Sequence, residues 1–136
     1  MTRIVFFFLL LIYSCQIFES TEINVISDTQ FIEIQDTDYI LVDVRTMEEY
    51  ESGHIQDAVN FDFYSESFQN DILSLDNSES IVLYCRTQNR STKTANYLKE
   101  NGYKEITVLE GGITSWVKNG NDLVYNFSDE IKSREE

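Results

Sequence analysis

Short, almost continuously apolar runs alternate with helix-like segments, and this alternation constrains the fold more than any other feature. The runs ILVDV at 40–44 and IVLY at 81–84 are typical of strands that are buried on both faces of a sheet. Apolar or β-branched runs predict strands at 23–26, 39–44, 58–61, 81–84 and 106–109, with helices predicted between them at 28–34, 47–52, 67–75, 90–101 and 113–119. This order predicts an α/β domain with a mainly parallel central sheet of about five strands flanked by helices.

Length and charge narrow the possible functions. A chain of 136 residues, 42% of them hydrophobic, suffices for one core but leaves no room for a second domain. The formal net charge of −14 argues against a nucleic-acid partner and against a general anionic-membrane surface. The stretch from 81 to 99 differs from the rest, because it contains no Asp or Glu and holds four of the ten basic residues, namely Arg86, Arg90, Lys93 and Lys99. Any anion site is therefore expected to be local, unless this stretch is simply a solvated basic helix face.

The amino terminus has the order of an export signal. The sequence MTRIVFFFLLLIYSC contains a basic residue, an apolar run and the small residue Ser14 before Cys15. The apolar run is shorter than the roughly 20 residues that span a bilayer comfortably. Residues 12–15 resemble the lipobox of bacterial lipoproteins, which implies lipidation of Cys15 and a domain anchored to a membrane in the periplasm or cell envelope. Simple cleavage of a secretory signal and an uncleaved membrane-associated segment are the alternatives. We assign 1–14 to the signal peptide, 15–21 to a short tether, 22–120 to the domain and 121–136 to an acidic tail.

Cys85 is the only thiol that remains if Cys15 is removed or lipidated. An inert buried cysteine and a disulfide between Cys15 and Cys85 are the alternatives to a reactive thiol. The chain has a single histidine, His54, so a zinc site built from Cys and His is not expected, and no metal is predicted.

The predicted position of Cys85 favours chemistry. It directly follows the predicted strand at 81–84 and precedes the predicted helix at 90–101, so it lies at the carboxyl end of a central parallel strand, where open α/β sheets bind ligands. The intervening loop can turn backbone N–H groups towards the sulfur, with the positive end of the helix behind them. Arg86 and Arg90 add positive charge, and this setting favours the thiolate over the thiol.

Three ordered blocks resemble the signatures of a single rhodanese domain, a sulfurtransferase module. They are LVDVRTMEEYESGHIQDAVNFDF, IVLYCRTQNRS and VLEGGITSWVKNG, and the resemblance covers 22–120. It implies a rhodanese-like three-layer fold with Cys85 as the nucleophile. Cys85 would take sulfur from an anionic donor such as thiosulfate and pass it from a persulfide to cyanide or to a thiol, for example that of a thioredoxin-like protein. No cofactor is implied. The resemblance also implies that the loop around the sulfur consists of Cys85, Arg86, Thr87, Gln88, Asn89 and Arg90.

Two positions depart from the family pattern. Gln88 occupies a loop position that is often glycine, so it must adopt the loop geometry without the conformational freedom of glycine. Its amide either binds substrate or faces solvent. Asp57 replaces another common glycine, in a surface turn where little functional consequence is expected.

Four further residues of the blocks are expected to support the site. The spacing of Arg45 and Glu49 predicts an ion pair between them, provided that the segment is helical. Asp43 either bonds to the active loop or Arg90, or caps its strand. Ser91 closes the cysteine block and is included among the supporting residues. His54, in a turn, is expected to be structural rather than catalytic.

Two rivals remain open. Cysteine phosphatases and arsenate reductases also hold an anion over a thiolate, but their loops have five residues between Cys and Arg, whereas four separate Cys85 from Arg90. The shorter loop suits a single sulfur atom better than a tetrahedral oxyanion. A non-catalytic sulfur carrier or protein-binding module is the other alternative.

Overall fold

The computed structural model describes residues 22–125. The predicted signal peptide, the tether, Cys15 and the part of the tail beyond residue 125 lie outside the described residues. Strands and helices alternate along the described chain, as the hydrophobic pattern predicts. The strands are β1 (Ile23–Ile26), β2 (Ile40–Asp43), β3 (Val59–Asn60), β4 (Ile81–Tyr84) and β5 (Ile106–Leu109). The helices are α1 (Asp28–Glu33), α2 (Met47–Glu51), α3 (Phe68–Ile72), α4 (Asn89–Glu100) and α5 (Gly112–Lys118).

The strands form one five-stranded sheet with the order β1-β5-β4-β2-β3, in which every neighbouring pair is parallel. Strand β4 lies in the middle and pairs with β5 on one side and with β2 on the other. All four of its residues are buried, which explains why its sequence is apolar throughout. The residues that follow β4 and β2 therefore emerge side by side at the carboxyl edge of the sheet.

Apolar side chains cover both faces of the sheet and give a three-layer fold. On one face, α3 and α4 pack on the strands through Phe68, Ile72, Ala95 and Leu98. On the other face, α1 and α5 contribute Phe31, Ile113 and Trp116. The indole of Trp116 is 5% exposed and its N–H donates to the carbonyl of Asp122 at 2.8 Å, so Trp116 belongs to the core. The predicted α/β fold with a parallel sheet and flanking helices is confirmed.

The predicted bounds of β1, β4 and β5 agree with the structure, but several other bounds were wrong. Helix α3 ends at Ile72 rather than residue 75, and α4 begins at Asn89 rather than Arg90. Asp57 has a φ of 64°, so this replacement for glycine adopts the left-handed conformation that Asp tolerates better than most residues. None of the helices within residues 22–125 has the length and apolar character needed to cross a membrane.

Candidate functional site

Cys85 lies directly after the central strand β4, at the carboxyl edge of the sheet. Its side chain is 1% exposed and its thiol is free. The sulfur lies 3.5 Å from the hydroxyl oxygen of Ser91, in the first turn of α4. That hydroxyl also donates to the carbonyl of Gln88 at 2.9 Å. Because a hydroxyl has one proton, Ser91 can donate it either to Gln88 or, after rotation, to the Cys85 sulfur.

The loop after Cys85 is short, because α4 begins at Asn89. Arg86, Thr87 and Asn89 are exposed, while Gln88 and Arg90 are half-buried. The backbone N–H groups of 86–91 donate to no other protein group in the described part of the chain. Some of these groups belong to the first turn of α4, where a helix has no internal acceptors for them and its dipole is positive. The loop can therefore supply hydrogen bonds to an anionic sulfur species.

Gln88 fits the loop without the conformational freedom of glycine. Its φ of −171° is extended backbone that any residue can adopt, so the usual glycine of the family is not required here. The side-chain oxygen of Gln88 accepts a hydrogen bond from the N–H of Gly111 at 3.3 Å. Neither role predicted for its amide accounts for this contact, which links the active loop to the segment before α5.

The first turn of α5 holds the other side of the loop, because groups of α5 donate hydrogen bonds to the carbonyl groups of the loop. The N–H of Ile113 donates to the carbonyl of Cys85 at 2.9 Å. The carbonyl of Arg86 accepts from the N–H of Thr114 at 3.0 Å and from its hydroxyl at 2.7 Å. These bonds fix the direction of the loop's carbonyl groups, which leaves the N–H groups free to turn the other way.

Gly112 lets α5 approach the loop this closely. It has a φ of +56°, and a Cβ atom at this position would lie 2.4 Å from the carbonyl oxygen of Cys85 and 2.7 Å from that of Thr87. Sequence reasoning missed the roles of Gly112 and Thr114 in positioning the loop. The available signal is the pair of glycines at 111 and 112, directly before the predicted helix at 113–119.

The predicted ion pair of Arg45 with Glu49 was wrong, and Asp43 follows the capping alternative, because its carboxylate accepts from the backbone N–H of Arg45 at 2.9 Å. The side chains of Asp43 and Arg45 pair with each other, with a distance of 2.6 Å between an Arg45 nitrogen and an Asp43 oxygen. Arg45 also donates to the carbonyl of Gly53 at 2.7 Å. Burial lowers the pKa of Arg45, but the hydrogen bonds and charge of Asp43 outweigh it, so the pKa is raised overall. This pair is fully buried and ties β2 to the turn after α2.

Glu49 binds Arg90 instead of Arg45. Two hydrogen bonds of 2.6 and 2.9 Å join the carboxylate of Glu49 to the guanidinium of Arg90. The geometry explains the wrong prediction, because α2 begins at Met47 and Thr46 is its cap, so Arg45 lies outside the helix. The hydrogen bond from Arg90 is the largest cause that lowers the pKa of Glu49, to about 2.

His54 has a structural environment, as expected. Its ring stacks on Tyr50 with 3.8 Å between the ring centres, and its Nδ1 lies 3.1 Å from the carbonyl oxygen of Tyr50. Its backbone forms an isolated antiparallel bridge with Val124. No contact between His54 and Cys85 is among those of the described residues, so this histidine is not placed to act as a base.

A model of the rhodanese-like domain family matches residues 28–119. The chain belongs to the rhodanese-like domain family. Solved structures agree with this assignment. The rhodanese-related protein of Thermoplasma volcanium is 26% identical, with coverage of 74% of this chain and 97% of that one and a TM-score of 0.66. A rhodanese-like domain protein of Staphylococcus aureus is 26% identical, with coverage of 76% and 99% and a TM-score of 0.65.

Curated relatives of this rhodanese-like domain are longer proteins. The tRNA uridine(34) hydroxylase of Yersinia enterocolitica is 34% identical over 91 residues, which are 62% of this chain and 25% of that protein. The enzyme of the same name from Yersinia pestis gives the same values. The chain thus spans about a quarter of the length of the curated relatives it matches.

Proposed function

We propose that this rhodanese-like domain is a sulfurtransferase that carries sulfane sulfur as a persulfide on Cys85. One observation carries the proposal: a free thiol follows the central strand and begins a loop whose N–H groups have no acceptor within the described residues. The first N–H groups of any helix lack internal acceptors, so the proposal depends on their position directly after a free thiol at the carboxyl end of the central strand. A terminal sulfur with negative charge would satisfy them.

The transfer has two balanced steps. The Cys85 thiolate attacks the outer sulfur of thiosulfate, the sulfur–sulfur bond of the donor breaks, and sulfite leaves with the electron pair. The enzyme then holds a persulfide with one negative charge. In the second step cyanide or an acceptor thiolate attacks the outer sulfur, and the electron pair of the broken bond returns to Cys85. Neither step consumes an external oxidant or reductant.

The contacts of the loop suggest how this chain would assist both steps. The hydroxyl of Ser91 can turn from the carbonyl of Gln88 to the sulfur when Cys85 is ionised, so it can stabilise the thiolate that attacks and later leaves. The N–H groups of the loop and of the first turn of α4 would bind the outer sulfur of the persulfide. Burial of Cys85 protects the persulfide from bulk solvent and restricts access to slender donors.

The name of the longer relatives, tRNA uridine(34) hydroxylase, does not indicate a better function for this domain. A tRNA substrate is disfavoured by the net charge of −14, because RNA binding relies on a basic surface. The loop has four residues between Cys85 and Arg90, and Arg90 is bound to Glu49, so neither loop length nor free charge favours phosphate chemistry. A non-catalytic sulfur carrier or binding module remains the rival that experiment must separate.

Thiocyanate formation tests the proposal. The full chain with thiosulfate and cyanide should produce thiocyanate, and Cys85→Ser should abolish it while the circular dichroism spectrum is unchanged. Cys15→Ser is the matched control, because it removes the other cysteine of the chain and should keep the activity. Turnover that survives in Cys85→Ser, or that requires Cys15, would refute the mechanism. A stable persulfide without turnover would favour the carrier.

We further propose that the chain is exported and anchored through a lipid on Cys15, with a thiol, for example of a thioredoxin-like protein, as the sulfur acceptor. The support is the order of basic, apolar and small residues before Cys15. Metabolic labelling with a fatty acid in a bacterial host tests the anchor, since Cys15→Ser should lose the label. An unlabelled parent would leave ordinary secretion as the better hypothesis.

A further inference from the structure

The two arginines of the active loop differ in their electrostatic partners. Arg86 is exposed, and no ion pair involves it among the described residues. Arg90 forms a bidentate ion pair with Glu49, whose oxygens lie 2.6 and 2.9 Å from its nitrogens. The loop therefore has two formal positive charges, of which Glu49 cancels one.

The carboxylate of Glu49 is held firmly in this position. It accepts a hydrogen bond from the N–H of Thr46 at 3.0 Å, as part of the capping box of α2. On the other side, the guanidinium carbon of Arg90 lies 5.6 Å from the ring centre of Tyr64. The lowered pKa of Glu49, about 2, keeps it ionised throughout the pH range in which the protein would be assayed.

Arg90 directly precedes Ser91, whose hydroxyl oxygen lies 3.5 Å from the Cys85 sulfur. Arg90 feels the charge of Cys85, which contributes to raising its pKa, although Glu49 is the largest cause. Glu49 and Arg86 line one groove beside the loop. Arg86 directly follows Cys85 in the chain, so a donor that reaches the loop beside Arg86 would lie close to the fixed negative charge of Glu49. The nearby Asp43 and Arg45 form a second neutral pair and add no net charge.

We propose that Glu49 is a specificity-determining residue, which cancels the charge of Arg90 and so favours singly charged sulfur donors, such as thiosulfonates and small persulfides, over dianionic thiosulfate. This inference rests on the proposed sulfur transfer. Both donor classes give the same Cys85 persulfide: the Cys85 thiolate attacks the terminal sulfur and the sulfur–sulfur bond of the donor breaks. Sulfite leaves with the electron pair from thiosulfate, a sulfinate leaves from a thiosulfonate, and a thiolate leaves from a small persulfide. The donors differ in the charge that they bring to the loop.

Thiosulfate and methanethiosulfonate form a matched pair of donors for the test, because an anionic oxygen of the first is a methyl group in the second. Glu49→Gln keeps the size of the side chain and an oxygen that can accept from Arg90, but it removes the negative charge. The Coulomb energy between Glu49 and a donor scales with the charge of the donor. If loss of the Glu49 charge raises kcat/KM about tenfold for the dianion thiosulfate, it should therefore raise kcat/KM about threefold for the monoanion methanethiosulfonate. The preference for the dianion should thus rise about threefold, mainly through KM, and the rise should shrink with added salt.

Three further variants separate charge from structure. Glu48→Gln makes the same charge change on the same helix at an exposed position without a described ion pair, and it should leave the preference near that of the parent. Arg90→Gln leaves Glu49 uncompensated and should shift the preference the opposite way, towards methanethiosulfonate. The double variant Glu49→Gln with Arg90→Gln should return the preference to that of the parent, which a merely structural role would not produce.

The outcomes are distinguishable. An unchanged preference in Glu49→Gln, or an equal loss with both donors, would overturn the inference while sulfur transfer stands. If neither donor loads Cys85 in the parent protein, the proposed function itself is wrong and this inference falls with it.

Discussion

The close contact of Gly112 with the active loop leads to the most detailed prediction. In Gly112→Ala, the new methyl group would lie 2.4 Å from the carbonyl oxygen of Cys85 and 2.7 Å from that of Thr87, both of them backbone atoms. Overpacking of this kind costs about 1–3 kcal/mol. A non-glycine residue in the left-handed conformation costs about 1–2 kcal/mol more. The free energy of unfolding should therefore fall by about 2–5 kcal/mol.

Gly102→Ala is the matched control for this variant. Gly102 has a φ of +88°, and a Cβ atom there would meet nothing within 4 Å. It should show only the conformational cost, about 1–2 kcal/mol, in urea unfolding. Gly112→Ala should also slow persulfide formation, by about a hundredfold if the loop moves by about 1 Å, whereas Gly102→Ala should not. Equal stability losses and equal rates in the two variants would refute the argument that Gly112 positions the loop.

Three further predictions concern the polar groups around the loop. Asp43→Asn should lower the free energy of unfolding by about 3–5 kcal/mol in urea, because it leaves the buried charge of Arg45 without a negatively charged partner. A loss under about 1 kcal/mol would contradict this. The folded-state pKa of Glu49 is lowered from 4.5 to about 2, so its pair with Arg90 stabilises the fold above the unfolded pKa and this stabilisation is lost as pH falls towards 2. The Tm difference between the parent and Glu49→Gln should shrink over that interval, and a difference independent of pH would count against the pair. Ser91→Ala should slow single-turnover persulfide formation by about tenfold, the equivalent of one hydrogen bond, and an unchanged rate would exclude a role for the hydroxyl.

The sheet and the position of the thiol could be predicted from local sequence. β4 is recognisable because a strand that is buried on both faces must be apolar at every position, and its parallel pairing follows from the alternation with helices. Once β4 is assigned, the residue after it, Cys85, falls at the edge where such sheets bind ligands. The bounds of α3 were less accurate, because polar turn residues near a short helix do not fix where it ends.

The contacts that determine the chemistry of the loop could not be predicted in this way. Glu49 and Arg90 are 41 residues apart in the chain, so no spacing rule joins them, and the local rule favoured Arg45 because it ignored Thr46 as the helix cap. The role of Gly112 likewise depends on how α5 packs against a loop from a different part of the chain. Long-range packing decides both contacts, and a single sequence does not report it.

Intact-mass measurement with peptide mapping tests the central claim most directly. The full chain is incubated with thiosulfate, freed of donor and digested with trypsin, and the peptide that ends at Arg86 is analysed. Cys85 should gain one sulfur atom, which cyanide should remove with the release of thiocyanate, and Cys85→Ser should gain none. A Cys85 peptide without added sulfur, from folded protein treated with thiosulfate or with methanethiosulfonate, would contradict the claim that this thiol carries sulfur.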